Sequence, residues 1–426
     1  MEKSLEKMMN KLEKVLLPIA NKLTSTKWLM AVKDTMITAM PFLIVGSVFL
    51  LLAYLPIPGY EGFITGIFGE GWQEKITLIT GATFGIIALI VLVGTAYFYS
   101  RELGVDSILS IVLSIAVLFI LTPVKDGNIS LQWLGTQGML VNILIGLSVT
   151  RLYKFILGLN IAPKMPDGVP PGVIKSFAAL VPIFVIAVLF LVIRLLIGFT
   201  PFESIQELIF KMFQIPLQKL GGNLFSMILV EMLGQLLWFF GLHGNAIVSG
   251  VMDPIWYALS AENLSAFQGH TELVNIVTKQ FKEVFLQIGG SGSTLPLVFL
   301  LATSKSKQLK TLGLLALPAG LFNINEPVIF GLPIVLSPVL FIPWILTTPI
   351  LAGVTYFSMW SGLVPYTSGV AIPWTTPTII SGALVSGPKG AILQVVLIII
   401  SLVIYYPFFK MVEKQKLREE SKLGEV

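Results

Sequence analysis

Glu326, within the stretch LFNINEPVIFGLP, is the only charged residue between Thr311 and Pro388. A carboxylate at mid-bilayer depth costs about 2.5–3.5 kcal/mol on insertion scales, so its presence calls for a reason. Pro327 pushes Glu326 away from helical geometry toward extended backbone, and Asn323 and Asn325 set amides beside it. Two roles fit: capping a helix N-terminus, or contacting a substrate, a proton or an ion. His243, in WFFGLHGNAIVSG, is placed similarly, because no charge lies between Glu231 and Asp253. Gly241 and Gly244 flank it and imply a helix break where backbone comes close to something. A lone histidine in apolar sequence is either a satisfied core residue or, in such a break, a functional one. Glu231, Gln235 and Trp238 are spaced i, i+4, i+7 and share one helix face. A carboxylate, an amide and an indole there can hold a sugar, and they can equally make a polar contact between helices. Trp374, between two prolines in GVAIPWTTPT, is a second stacking platform. Gly289, Gly290 and Gly292 belong to GGSGST, which lacks the Gly-Lys-Ser/Thr ending of a nucleotide-binding P-loop. That loop is read as a tight re-entrant turn whose amides face a substrate or phosphate. His270, in a polar stretch, reads as a solvated loop residue, and Trp28, Trp133, Trp344 and Trp360 as interface or packing residues.

These residues must be positioned by membrane-embedded helices. The chain has 426 residues, 55% hydrophobic and only 12% charged, with a mean hydropathy of +0.87. An ordinary soluble domain is about 25% charged. Five regular spans are expected at Met36–Leu55, Ile76–Tyr99, Leu103–Thr122, Gly138–Gly158 and Ser176–Phe199, each with about the 20 residues a bilayer crossing needs. A sixth runs over Asn223–Phe240. Beyond it the apolar segments are short, and ten prolines fall between Pro318 and Pro388. Each internal proline removes a helix hydrogen bond, and irregular backbone at membrane depth survives only where protein buries it or a wet cavity borders it. Broken helices of this kind build transporter substrate sites. The expected division is a five-helix scaffold half with a preceding amphipathic helix (1–220), a substrate-binding transport half (221–410) and a basic cytoplasmic tail (411–426). Within residues 1–20 the apolar side chains fall on one helical face, as in a helix lying on a membrane surface or packing on its own protein. Lysines crowd the first 33 residues, and Arg101, Arg151, Lys154, Lys164 and Lys175 recur beside alternate spans, which places both termini in the cytoplasm.

The same inventory closes off other chemistries. There is no cysteine, so there is no disulfide, thiolate metal site or cysteine nucleophile. No metal-ligand cluster and no Ser/His/Asp arrangement is present, and neither a metal nor another cofactor is expected. The net charge of +5 follows the membrane topology and is no sign of a nucleic-acid partner.

Taken together, GLHGNAI, GGSGSTL, NINEPVIFGLP and IPWTTP, in that order after five plain helices, resemble the membrane (EIIC) component of a sugar phosphotransferase system. The resemblance spans nearly the whole chain and lies in the lactose/cellobiose/diacetylchitobiose branch. It implies an all-α polytopic membrane protein of about ten transmembrane helices plus two re-entrant hairpins, assembled as a homodimer in the bacterial inner membrane. It implies import of a β-linked disaccharide, diacetylchitobiose first and cellobiose next, whose 6-hydroxyl is phosphorylated by a cytoplasmic phospho-IIB protein with IIA upstream. The missing cysteine then puts the phosphoryl carrier on a separate chain. Carried over by position, Glu326 and His243 meet the accepting hydroxyl, Trp238 and Trp374 stack on sugar rings, and Glu231, Gly244, Asn325 and the three loop glycines complete the substrate site. The alternative from a different class is a proton- or sodium-coupled sugar transporter with Glu326 as the coupling carboxylate.

Overall fold

The structure is a computed structural model that describes residues 25–53, 59–125, 128–129, 131–159, 161, 171–240, 242–332, 334 and 337–423. The amphipathic helix expected over residues 1–20 lies outside the described residues. Among them the chain is helical almost throughout. A two-residue antiparallel ladder, β1 (Val124–Lys125) with β2 (Asn128–Ile129), is the one strand pairing. Six helices are long and apolar enough to cross a membrane, and much of the remaining chain runs in shorter pieces. The described chain divides into two compact units, Thr24–Lys219 and the residues from Leu220 onward.

In the first unit the helices are α1 (Lys27–Ala53), α2 (Tyr60–Phe68), α3 (Trp72–Gly81), α4 (Ile87–Leu103), α5 (Ser107–Leu121), α6 (Met139–Gly158), α7 (Pro171–Ile197) and α8 (Ile205–Ile209). Their boundaries follow local chemistry. α1 starts nine residues before the expected Met36, because polar residues do not interrupt a helix whose hydroxyls back-bond. Thr35 and Thr38 donate to the carbonyls of Ala31 and Asp34. The span expected over Ile76–Tyr99 is two helices joined by a short 3-10 turn at Phe84–Ile86. α4 ends at Gly104, and Asp106 accepts from the Leu109 amide at 3.0 Å to start α5. A neighbouring acid also suits the positive end of that helix dipole. Leu92, Val117, Val149 and Ile186, one from each of α4 to α7, are wholly buried in one apolar core.

α9 (Ile215–Gly221) leads into the second unit, which holds α10 (Leu224–Phe239), α11 (Gly244–Gln268), α12 (Leu295–Ala302), α13 (Lys307–Leu321), α14 (Glu326–Gly331), α15 (Pro338–Trp360) and α16 (Ile380–Leu423). A π-helical turn, Phe281–Leu286, precedes the GGSGST loop and α12. Residues 362–379, which include three of the prolines, carry no helix. α16 is broken at Ser386–Gly387, just before Pro388, where the backbone leaves helical geometry. Gln394 restrains this break: its Oε1 accepts from the Ile379 and Gly382 amides, and its Nε2 donates to the carbonyl of Val284. The region expected to be a basic tail continues α16, and two of its acids reach back to the turn before α13. Glu413 accepts from Ser304 Oγ and the Lys305 amide, while Glu420 accepts from Ser306 Oγ and the Gln308 amide. Together they fix the turn that begins α13.

Candidate functional site

The three irregular motifs of the second unit are tied together through two asparagines. Asn323 adopts a left-handed backbone, φ +62°, a conformation that asparagine tolerates better than most residues. From there its Oδ1 accepts from the Gly289 amide at 2.9 Å. Its Nδ2 donates to the carbonyls of Trp374 and Thr376 at 2.8 and 3.0 Å. NINEP, GGSGST and PWTTP therefore converge on one side chain. Asn325 donates through Nδ2 to the Ser291 carbonyl at 2.6 Å and to Thr294 Oγ1 at 2.9 Å. Both hydrogens of that amide hold the loop, so Asn325 is engaged with protein.

The loop glycines are buried and close-packed. Gly290 and Gly292 have φ of +97° and +75°, a region that side chains rarely adopt. A Cβ at Gly290 would lie 2.6 Å from Asn325 Cγ, and one at Gly292 would lie 2.6 Å from the Trp344 ring. Gly289 is closed in by Leu295. The amides of Gly289 and Gly290 are bound to Asn323 Oδ1 and the Gln287 carbonyl, and the Gly292 carbonyl accepts from Tyr405.

Glu326 is the first residue of α14 and is half-buried. Among the described residues its carboxylate makes no hydrogen bond or ion pair within the chain, although Asn325 beside it is anchored. A rigid backbone thus presents a free carboxylate.

α10 carries the second wall. Glu231, Gln235 and Trp238 lie on one face, as their spacing predicts, and all three are buried. With a rise of 1.5 Å per residue, the lane from Glu231 to Trp238 is about 10 Å long. Gln235 exchanges hydrogen bonds with Ser291 Oγ, and its carbonyl accepts from the Trp344 indole at 2.8 Å. Gln235, Ser291 and Asn325 therefore form a polar chain from α10 to the residue before Glu326. Trp238 packs on the exposed His243, with ring centroids 4.3 Å apart and planes tilted by 44°. Among the described residues the buried Trp238 indole N–H has no acceptor. His243 directly precedes α11, whose first residue, Gly244, packs on the Gly234 backbone so closely that a side chain would not fit. The Trp374 ring is 45% exposed while its carbonyl is pinned by Asn323. The ring is thus available to stack.

Glu231 sits apart from these contacts. Its nearest cation is the buried Lys282, Nζ to Oε1 3.7 Å. The Lys282 ammonium lies 5.1 Å from the centre of the Trp256 ring. A neighbouring ion cluster joins Lys279 to Asp253 at 2.6 Å and to Glu283 at 3.2 Å. Apart from Glu231, none of these charges is among the site residues that the sequence points to. The available signal was KQFKEVF, where cations and an acid alternate with large apolar residues instead of loop formers. Among the described residues no cluster of histidines and acids could hold a metal.

The chain matches the family model for the phosphotransferase system EIIC over residues 33–348. It is 43% identical to the cellobiose-specific EIIC component of a phosphotransferase system from Geobacillus stearothermophilus, covering 98% of this chain and 96% of that protein. It is 42% identical to the lichenan permease IIC component of Bacillus subtilis, covering 97% and 95%. It also superimposes on the crystal structure of the transporter ChbC, the IIC component of the N,N'-diacetylchitobiose-specific phosphotransferase system. The TM-score is 0.93 at 41% identity, over 96% of this chain and 99% of that one.

Proposed function

We propose a substrate and a reaction from one premise: the chain belongs to the phosphotransferase-system EIIC family, as a multi-pass membrane permease for β-linked sugars. The proposed cargo is a disaccharide, with N,N'-diacetylchitobiose first and cellobiose next. Both are the sugars named for relatives that this chain matches at 43% and 41% identity. The proposed product is the sugar phosphorylated on its 6-hydroxyl.

The observation that carries this reading is the free carboxylate of Glu326 on a backbone fixed by Asn323 and Asn325. Phosphoryl transfer passes through a loose transition state in most analyses, so placing the acceptor oxygen matters more than a strong base. Glu326 accepts the hydrogen of the 6-hydroxyl and sets the oxygen toward the incoming phosphoryl group. His243, steadied by Trp238, is the second contact to that hydroxyl. Trp374 offers an exposed face to the apolar side of a sugar ring, and the Trp238 N–H meets a sugar oxygen. Glu231 meets the far end of the disaccharide, while Gly244, Gly289, Gly290, Gly292 and Asn325 shape the wall. The proposed phosphoryl donor is a phosphocysteine of a IIB protein charged by IIA, since none of these 426 residues is a cysteine. A homodimer with both termini in the cytoplasm completes the proposal, on the distribution of lysines and arginines.

Purified protein in vesicles should equilibrate labelled sugar and form sugar phosphate only when phospho-IIB is added. Glu326→Gln should lower the phosphorylation rate about 10²–10⁴-fold, the span of general-base effects, with a smaller loss in sugar binding. Wild-type phosphorylation by that variant would remove Glu326 from the role. Proton-driven accumulation of unmodified sugar without IIB would overturn the reaction itself. Competition between diacetylchitobiose and cellobiose for the labelled site ranks the sugars.

A further inference from the structure

Two lysines one helical turn apart enter the interior of the second unit with different outcomes. Lys279 is closed: it touches Asp253 at 2.6 Å and Glu283 at 3.2 Å, so each charge is answered. Lys282 is not closed in that way. It and Glu231 are each 1% exposed, yet they stand 3.7 Å apart, beyond a good hydrogen bond. Among the described residues neither buried Glu231 carboxylate oxygen has a hydrogen-bond partner. Trp256 carries the Lys282 ammonium on its ring face and is itself wholly buried, with its indole donating to the Gly221 carbonyl at 3.2 Å. The lysine is therefore held from behind, and Gly221 and Trp256 fix where its charge sits.

A buried carboxylate with empty acceptors is costly unless something fills them. Charge pairing from Lys282 offsets that cost without occupying the lone pairs. We propose that Lys282 is a positioning residue. It keeps Glu231 aimed so that its oxygens accept hydrogen bonds from the hydroxyl or amide N–H groups of the bound sugar. This rests on the substrate reading above, in which Glu231 meets the far end of the disaccharide along the α10 lane. A pair that only bound helices together would be satisfied as Lys279 and Asp253 are.

The test is equilibrium binding of radiolabelled diacetylchitobiose and cellobiose to the full-length purified protein, with thermal unfolding recorded on each variant. Lys282→Met should weaken binding about tenfold or more, and Lys282→Arg should restore most of it. Glu231→Gln should weaken binding too, and the double variant Glu231→Gln with Lys282→Met should bind no worse than Glu231→Gln alone, since coupled residues are not additive. The exchanged pair, Glu231→Lys with Lys282→Glu, should recover thermal stability but not binding, because the acceptor then sits on the wrong segment. Should Lys282→Met fail to fold, the double and exchanged variants carry the test. Wild-type affinity in Lys282→Met, multiplying losses in the double variant, or recovered binding in the exchanged pair would each overturn the positioning role. A wild-type protein that binds neither sugar would instead overturn the substrate reading and this inference with it.

Discussion

The two units bury different kinds of polar group. In the described residues up to Lys219 every buried polar side chain is neutral, and several of the hydroxyls bond back into their own helix. Thr35, Ser110, Ser114 and Thr122 each donate to a carbonyl four residues earlier. From Leu220 onward five charges are buried: Glu231, Asp253, Lys279, Lys282 and Glu413. Their partners and those of the buried amides lie far along the chain, as in Asn325 to Ser291 and Gln394 to Val284. A hydroxyl satisfied within its own helix asks nothing of tertiary structure. A buried charge or amide satisfied from another segment fixes that segment, and a carboxylate without a hydrogen-bond partner among the described residues, as at Glu326 and Glu231, is where the proposed sugar would bind. The difference separates helices that fill space from segments that hold a site.

The same substitution in the two units should give opposite signs. Gly292→Ala puts a Cβ 2.6 Å from the Trp344 ring at φ +75°. Overpacking costs about 1–3 kcal/mol and a left-handed backbone about 1–2 more. Thermal unfolding in detergent should fall well below wild type, with sugar binding lost. Gly66→Ala, in the middle of α2, meets nothing within 4 Å and should stabilise by about 0.5–1 kcal/mol. An unfolding midpoint unchanged in Gly292→Ala would show that the loop relaxes around the methyl, and the contrast between units would weaken.

Next in size is the asparagine that joins the motifs. Asn323→Ala removes three hydrogen bonds, each worth about 0.5–1.5 kcal/mol net, and places alanine at φ +62°. A loss of about 2–4 kcal/mol is expected, together with faster proteolysis of the segment around Trp374. Asn323→Gly keeps the backbone permissive and loses only the bonds. Equal effects from the two would assign the whole cost to the bonds, and a mild glycine variant would assign it to the backbone.

How much of this was legible beforehand differs by unit for the same physical reason. Long apolar runs located the regular helices, and the errors there were at the ends, as with α1 starting at Lys27, and at the 3-10 turn that divides the run over Ile76–Tyr99. The spacing of Glu231, Gln235 and Trp238 gave their shared face, because helical period alone decides it. NINEPV and GGSGST marked a break, since proline and glycine act locally. The partners were not legible: nothing in KQFKEVF states that Trp256 will cover Lys282 or that Asp253 will meet Lys279. Nor does a basic composition after Met411 reveal that Glu413 and Glu420 turn inward to hold residues 304–308. Local rules read local partners, and the second unit is built from distant ones.

The Glu420 contact is a distant partner of modest worth. Its carboxylate accepts from Ser306 Oγ and the Gln308 amide at the positive end of α13. Glu420→Ala should lower the unfolding midpoint slightly, as the loss of a helix cap does, and leave sugar affinity unchanged. A large drop in affinity would tie the end of α16 to the site.

The smallest effect is expected where burial and hydrogen bonding are most complete but local. Ser114 is fully buried in α5, and its hydroxyl donates to the Ser110 carbonyl at 2.7 Å. That carbonyl is also the ordinary α-helical acceptor for the Ser114 amide. Ser114→Ala therefore leaves no orphaned group, removes a residue that competes with the helix, and substitutes the best helix former. Its unfolding midpoint should stay within about 0.5 kcal/mol of wild type, the range of substitutions that break no special feature. A loss above about 1.5 kcal/mol would mean that this hydroxyl has a tertiary role. The line between self-satisfied helices in the first unit and mutually dependent segments in the second would then not hold.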